Sequence, residues 1–216
     1  MNLFTIPYGL ITEWVCLITS ILLLWKASPK FWQIFIPYLI ITVGIETYAY
    51  VSITQFGNKS THNLYNIFLF IYLNFHIYLF SKIINLQYAN KIALLCLTLL
   101  LGIYFFEWQF TLHSFFSITN TVFGGMIILL SIIYYFGLFK QDEMKQSEFW
   151  LVTGCLIFYS ATTSVNAFFD QLPWLNQKMG ILPIRYIIVS IANIIMYGCW
   201  IKSFLCLKDK KIYFQQ

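Results

Sequence analysis

Charge is what this sequence has least of. Only 10% of its 216 residues are charged, where a soluble domain carries about 25%. Arginine is nearly missing. Arg185 is the only one, and the rest of the basic excess is lysine. Arginine forks are the usual readers of bases and phosphates, so a nucleic-acid partner is not expected. Histidine is scarce too, with only His62, His76 and His113. No phosphate loop, dinucleotide fingerprint, Gly-x-Ser-x-Gly elbow or His-Glu-x-x-His motif is present. The N-terminus, Met1-Asn2-Leu3-Phe4-Thr5-Ile6-Pro7, has no basic residue before the first apolar run, and Lys26 and Lys30 follow it. That order is the reverse of a cleaved signal peptide and suits a retained helix.

Several chemistries are disfavoured by these shortages. Zinc hydrolysis needs its histidines at one point, and the topology below separates His76 from the other two. No mid-helix lysine stands in the last apolar run, where a retinal Schiff base would need one; Lys202 is near its end. No nucleophile constellation is visible. The five cysteines, Cys16, Cys96, Cys155, Cys199 and Cys206, lie within or at the end of apolar runs without metal-ligand spacing. They read as small hydrophobes rather than a disulfide framework or redox motif. No catalytic residue, metal or cofactor is expected.

What is abundant is apolar surface. Hydrophobic residues make up 60% and aromatics 20%, and the mean hydropathy is +0.74. A bilayer core of about 30 Å takes about 20 apolar residues of helix. Seven such runs are legible, near 9–26, 31–56, 63–84, 91–107, 114–139, 149–170 and 181–207. The fourth is the shortest. Helix is the required form, because lipid cannot satisfy an open strand edge. Turn signals separate the runs, among them Ala27-Ser28-Pro29-Lys30, Phe56-Gly57-Asn58-Lys59-Ser60, and Pro173 and Pro183. Asn58-Lys59-Ser60 also matches a glycosylation acceptor, a three-residue coincidence close to the membrane.

Lysine placement orients the chain. With the N-terminus outside, the inner segments hold Lys26, Lys30, Lys82, Lys91, Lys140, Lys145, Lys202, Lys208, Lys210 and Lys211. The outer ones hold Lys59, Lys178 and Arg185. The positive-inside rule therefore predicts an all-α, seven-transmembrane helix bundle, N-outside and C-inside, as one domain over residues 1–216 in a plasma membrane, the inner one if bacterial.

This orientation sorts the acids. Asp142, Glu143, Glu148 and Asp209 fall in inner loops or the tail. Glu13, Glu46, Glu107 and Asp170 fall in the outer half, with Glu46 deepest. An intramembrane acid costs about 2.5–3.5 kcal/mol at mid-helix and commonly marks a site. Other polar side chains share that depth. Thr42, Glu46 and Tyr50 form one stripe; His113, Ser117, Asn120 and Gly124 another; Tyr159, Thr162, Thr163, Asn166 and Asp170 a third. Asn66 opens the third run and Arg185 the seventh.

The expected ligand-binding set is thus Glu13, Glu46, Tyr50, Asn66, His113, Asn120, Thr163, Asn166, Asp170 and Arg185. Arg185 is the lone cation of the set, able to neutralise an acid or to hold a carboxylate or phosphate. The expected partners are the lipid bilayer, a small polar or anionic solute and, for a receptor, a signalling partner in the membrane.

The bland alternative is that serine, threonine and asparagine bond neighbouring helices, at about 0.6 kcal/mol each, and that Glu107, Asp170 and His113 are solvated. For any one residue it is the simpler reading. For Glu46, and for the sixth-run stripe as a set, a site is. His76 reads as a neutral histidine bonded to a neighbouring helix.

A transporter is the competing function. Phe31-Trp32 and Phe149-Trp150 open the second and sixth runs, a shift of roughly 120 residues that hints at a 3+1+3 helix plan. The inner half is poor in polar residues, with mainly Asn74, His76 and Ser131, which ranks transport below sensing. An intramembrane enzyme and a ligand-free accessory subunit rank lower still.

Overall fold

Long apolar segments without an aqueous partner for their backbone must close their hydrogen bonds within the segment. The computed structural model describes residues 8–27, 29–56, 61–84, 89–110, 116–139, 145–168 and 184–213, and every regular element among them is helical. They are α1 (Tyr8–Leu24), a 3₁₀ turn (Lys30–Ile34), α2 (Phe35–Phe56), α3 (His62–Ile83), α4 (Ala89–Phe110), α5 (Ser117–Leu138), α6 (Gln146–Ala167) and α7 (Ile184–Tyr213). Four segments, Lys30–Gln55, His62–Ile83, Ser117–Leu138 and Arg185–Leu207, are long and apolar enough to cross a membrane. Tyr8–Leu24 and Leu94–Phe110 are apolar but shorter.

The helix limits depart from the apolar runs by a few residues at several ends, and three of the departures have a local reason. The second run begins with a 3₁₀ turn after Pro29, and Pro37 sits in the first turn of α2, where a missing N–H costs nothing. The fourth, expected to be the shortest, is a full 22-residue helix, because the less apolar flanks Ala89-Asn90-Lys91 and Glu107-Trp108-Gln109-Phe110 continue it. The seventh runs to Tyr213 and spans 30 residues, about 45 Å at 1.5 Å per residue. Its last turns therefore overshoot a hydrocarbon core of about 30 Å. They carry Lys208, Lys210 and Lys211, and cations favour a helix C-terminus.

Side-chain bonds between helices fix their relative directions. The hydroxyl of Tyr65, early in α3, donates to Glu46, late in α2. Tyr104 of α4 donates to the Asn66 carbonyl near the start of α3. Glu107, late in α4, meets the first turn of α5. Tyr135 and Thr153 join late α5 to early α6 at 2.6 Å, and Ser203 donates to the Ser147 carbonyl, joining late α7 to early α6. Successive helices therefore alternate in direction. At one end of the bundle stand the starts of α1, α3, α5 and α7; below, this is the N-terminal end. At the opposite end the described lysines gather: Lys26, Lys30, Lys82, Lys91, Lys145, Lys202 and those of the α7 tail.

Helix contacts run α1–α2, α2–α3, α3–α5, α5–α6, α6–α7 and back from α7 to α1. Six helices thus close a ring, while α4 lies outside it against α3 and α5. The closest approach, α6 to α7, passes over Gly154. A Cβ there would stand 2.8 Å from Cys199 Cβ and 3.1 Å from the Met196 carbonyl. At Gly124, the Thr163 hydroxyl occupies the space a Cβ would need, drawing α5 against α6.

The outer surface is apolar, with Trp14, Leu22, Leu94, Phe105, Phe106, Leu129 and Phe136 among its exposed side chains. Continuous apolar surface of this kind suits a lipid environment. Hydroxyls are made harmless there by bonding inside their own helix. Thr19, Thr54, Thr98 and Ser164 each donate to the carbonyl four residues back. The expectation of bonds mainly to neighbouring helices is corrected for these. The nearer acceptor is the strand of carbonyls on the same helix.

Candidate functional site

A cavity of about 220 Å³ lies inside the ring. Every ring helix lines it: Glu13 from α1; Thr42 and Glu46 from α2; Tyr65, Phe68, Leu69 and Tyr72 from α3; Asn120 from α5; Phe158, Tyr159 and Thr162 from α6; Val189, Asn193, Met196 and Tyr197 from α7. Helix α4 contributes nothing, as its outside position requires. Apart from Thr42, the lining falls in the half of each helix toward the N-terminal end.

Polar groups converge on this void. Tyr65 donates to Glu46 Oε2 at 2.9 Å. Glu13 is only 5% exposed, and its Oε2 has no hydrogen-bond partner among the described residues. Thr42 and Thr162 donate to carbonyls of their own helices, Tyr38 and Phe158 respectively, so their oxygens present acceptor capacity. Among the described residues no lysine or arginine is in the lining.

Toward the lysine-rich end the core is filled with rings. Tyr38 stacks on Phe75 with centroids 3.6 Å apart. Phe35 meets Phe75, Trp200 and Phe204 edge-on at 5.0–5.3 Å. His76 sits fully buried in this cluster, with Tyr72 at 4.5 Å, Tyr159 at 5.5 Å and Phe123 at 5.9 Å. Its Nδ1 lies 2.9 Å from the Tyr72 carbonyl of its own helix, and its Nε2 has no partner among the described residues. The expected bond to a neighbouring helix is absent there, because each facing helix presents a ring to the imidazole. Tyr72 and Tyr159 belong to both regions, forming the cavity's floor and the cluster's roof.

Of the ten expected residues, Glu13, Glu46 and Asn120 line the cavity. Asn66 is instead a buried strut. Its side-chain oxygen accepts from the Phe116 N–H at 3.1 Å and its carbonyl from Tyr104, tying α3 to α4 and to the start of α5. Thr163 fills the notch at Gly124. Tyr50 and Asn166 are half-buried but outside the lining, and Arg185 is exposed at the start of α7. His113 and Asp170 lie outside the described residues.

Glu107, expected to be solvated, is buried. Its two carboxylate oxygens accept from the N–H groups of Ile118 and Thr119 at 3.0 and 2.7 Å, capping α5 from a neighbouring helix. Residue spacing does not reveal this, since the cap comes from another helix. Tyr65, Tyr72 and Tyr197 were missed as lining because tyrosine on an apolar helix reads equally as core or lipid anchor. Among the described residues no group of three histidine, cysteine or acidic side chains can hold a metal ion. All five cysteines are free.

Comparison with protein-family models, with characterised proteins and with solved structures finds no match to this chain.

Proposed function

We propose that this chain crosses a plasma membrane seven times as a single domain, N-outside and C-inside, and binds a small solute in the cavity of its outer half. One observation carries the binding reading. Six helices surround a void that holds the unpartnered carboxylate oxygen of a buried Glu13. A buried polar atom left open beside a void costs about 1–3 kcal/mol, and a ligand is one way for such a cost to persist. The orientation rests on the lysines collected at one end of the bundle, which the positive-inside rule puts in the cytoplasm.

Sensing is favoured over transport because aromatic rings fill the core between the cavity and the lysine-rich end. Alternating access would require that cluster to part. Transport is the second reading, and α4 standing outside a ring of two helix trios favours it, as a 3+1+3 plan would have it.

Native mass spectrometry of the protein in lipid nanodiscs, beside a Thr162→Trp variant that fills the void, tests the binding reading. A co-purifying mass adduct lost in the variant supports it, and an adduct pattern identical in both overturns it. Proteoliposome uptake, parent against Glu46→Gln, separates the modes, with flux that needs Glu46 deciding for transport. Labelling of Lys59→Cys but not Lys145→Cys by an impermeant maleimide on whole cells checks the orientation.

A further inference from the structure

The lining has a definite charge character. Glu13 and Glu46 both line the void, and among the described residues the lining supplies no lysine or arginine. Arg185, the residue that could have made this an anion site, is exposed at the head of α7 and stands apart from the lining. An anionic solute would meet two carboxyl groups and no counter-charge.

The remaining walls suit the opposite charge. Tyr65, Phe68, Tyr72, Phe158, Tyr159 and Tyr197 all present rings to the cavity. Ring faces attract cations, by about 2 kcal/mol or more where water is excluded, and cages of aromatic rings are a common solution for ammonium groups. The hydrogen-bonding balance points the same way. Among the described residues Glu13 Oε2 is an acceptor without a donor, Glu46 has one donor, Tyr65, and the Tyr159 hydroxyl, able to donate or accept, is also open. An ammonium brings up to three donors and no acceptor. At about 220 Å³ the void has room for a small organic molecule.

We propose that the cavity binds a small organic cation, a protonated amine or quaternary ammonium, with Glu13 and Glu46 as its counter-ions and the tyrosine and phenylalanine rings as its walls. This rests on the reading of the cavity as a solute site. It replaces the polar or anionic solute expected from Arg185. Of the two acids, Glu13 is the primary partner, because its Oε2 is unengaged, and Glu46 is held in place by Tyr65.

The test uses the full chain in nanodiscs, with tetramethylammonium and ethylammonium as cationic probes, tert-butanol as a neutral probe and acetate as an anionic one. Isothermal titration and thermal unfolding are read together. Saturable binding and a raised melting temperature are expected for the cations alone. Glu13→Gln should weaken cation binding at least tenfold and Glu46→Gln somewhat less. Glu46→Asp keeps the charge and should recover part of the loss. Tyr65→Phe, which leaves both carboxyls in place, is a milder check should a glutamine variant fold poorly, and a threefold to tenfold loss is expected of it.

Cation binding that survives both glutamine changes overturns the proposal. So does binding of tert-butanol or acetate as tight as that of the cations; if Thr162→Trp abolishes it, the cavity remains a solute site of another class. If no probe binds and Thr162→Trp leaves the co-purifying adducts unchanged, the proposal and the solute-site reading fall together.

Discussion

Two buried carboxylates, in two corners of the same bundle, have nearly equal burial and opposite circumstances. Glu107 is 4% exposed and Glu13 is 5% exposed. At the α4–α5 corner, Glu107 accepts two backbone N–H bonds that α5 could not satisfy within itself. In the ring, Glu13 faces a void with one oxygen unpartnered. Burial alone therefore does not separate an acid that completes the fold from one proposed to bind a solute. The number of donors already aimed at it does. A completed acid holds the fold together, and an incomplete one is where something else can be added.

This contrast should be visible in the sign of a stability change. Glu107→Ala removes a cap and strands two N–H groups, so a loss of about 3 kcal/mol is expected in detergent unfolding. Glu107→Gln, still an acceptor at one oxygen, should lose about half as much. The same replacement by a neutral side chain at Glu13 should go the other way. Glu13→Leu is expected to stabilise the ligand-free protein by about 1–2 kcal/mol, since a buried group without a partner is removed. If both acids respond alike, the distinction between them collapses.

A third measurement probes what keeps the cavity framed. At Gly154→Ala the added methyl meets Cys199 and the Met196 backbone, so α6 and α7 must separate. A loss of about 1–3 kcal/mol is expected, together with weaker solute binding, because both helices line the cavity. A stability loss without a binding change would show that the cavity tolerates helix displacement. The smallest effect is expected at His76→Phe, within about 1 kcal/mol by the same unfolding measurement, since only a bond within its own helix is lost and another ring joins the cluster. A loss of solute flux in that variant, with stability intact, would move the balance toward transport.

Much of the architecture was legible in the chain. The apolar runs mark the helices to within a few residues, because runs of that length leave the backbone no partner but itself. Glu46 and Glu13 stood out because acids are rare in such runs. The rest was hidden for a physical reason. In a soluble bundle the core face is apolar and the outer face polar, so periodicity reveals the helix's rotation. Here lipid and core are both apolar, and that signal is weak. Nothing in the spacing of Thr163 and Asn166 distinguished them from Thr162, yet only Thr162 reaches the cavity. Arg185 had the right depth by residue count and the wrong direction.

The sequence by itself determined the helices and the gathering of lysines at one end of the bundle. Those follow from local composition and from the cost of an unsatisfied backbone in hydrocarbon. Tertiary structure decided which acids share a void, which one caps a helix, and that α4 stands outside the ring. Those depend on helix rotation and on neighbours far apart in sequence, fixed by small residues such as Gly124 and Gly154 and by single interhelical bonds. Glu13 and Glu107 are the same residue type in similar apolar surroundings, and only the fold gives one two backbone donors and leaves an oxygen of the other open beside a void.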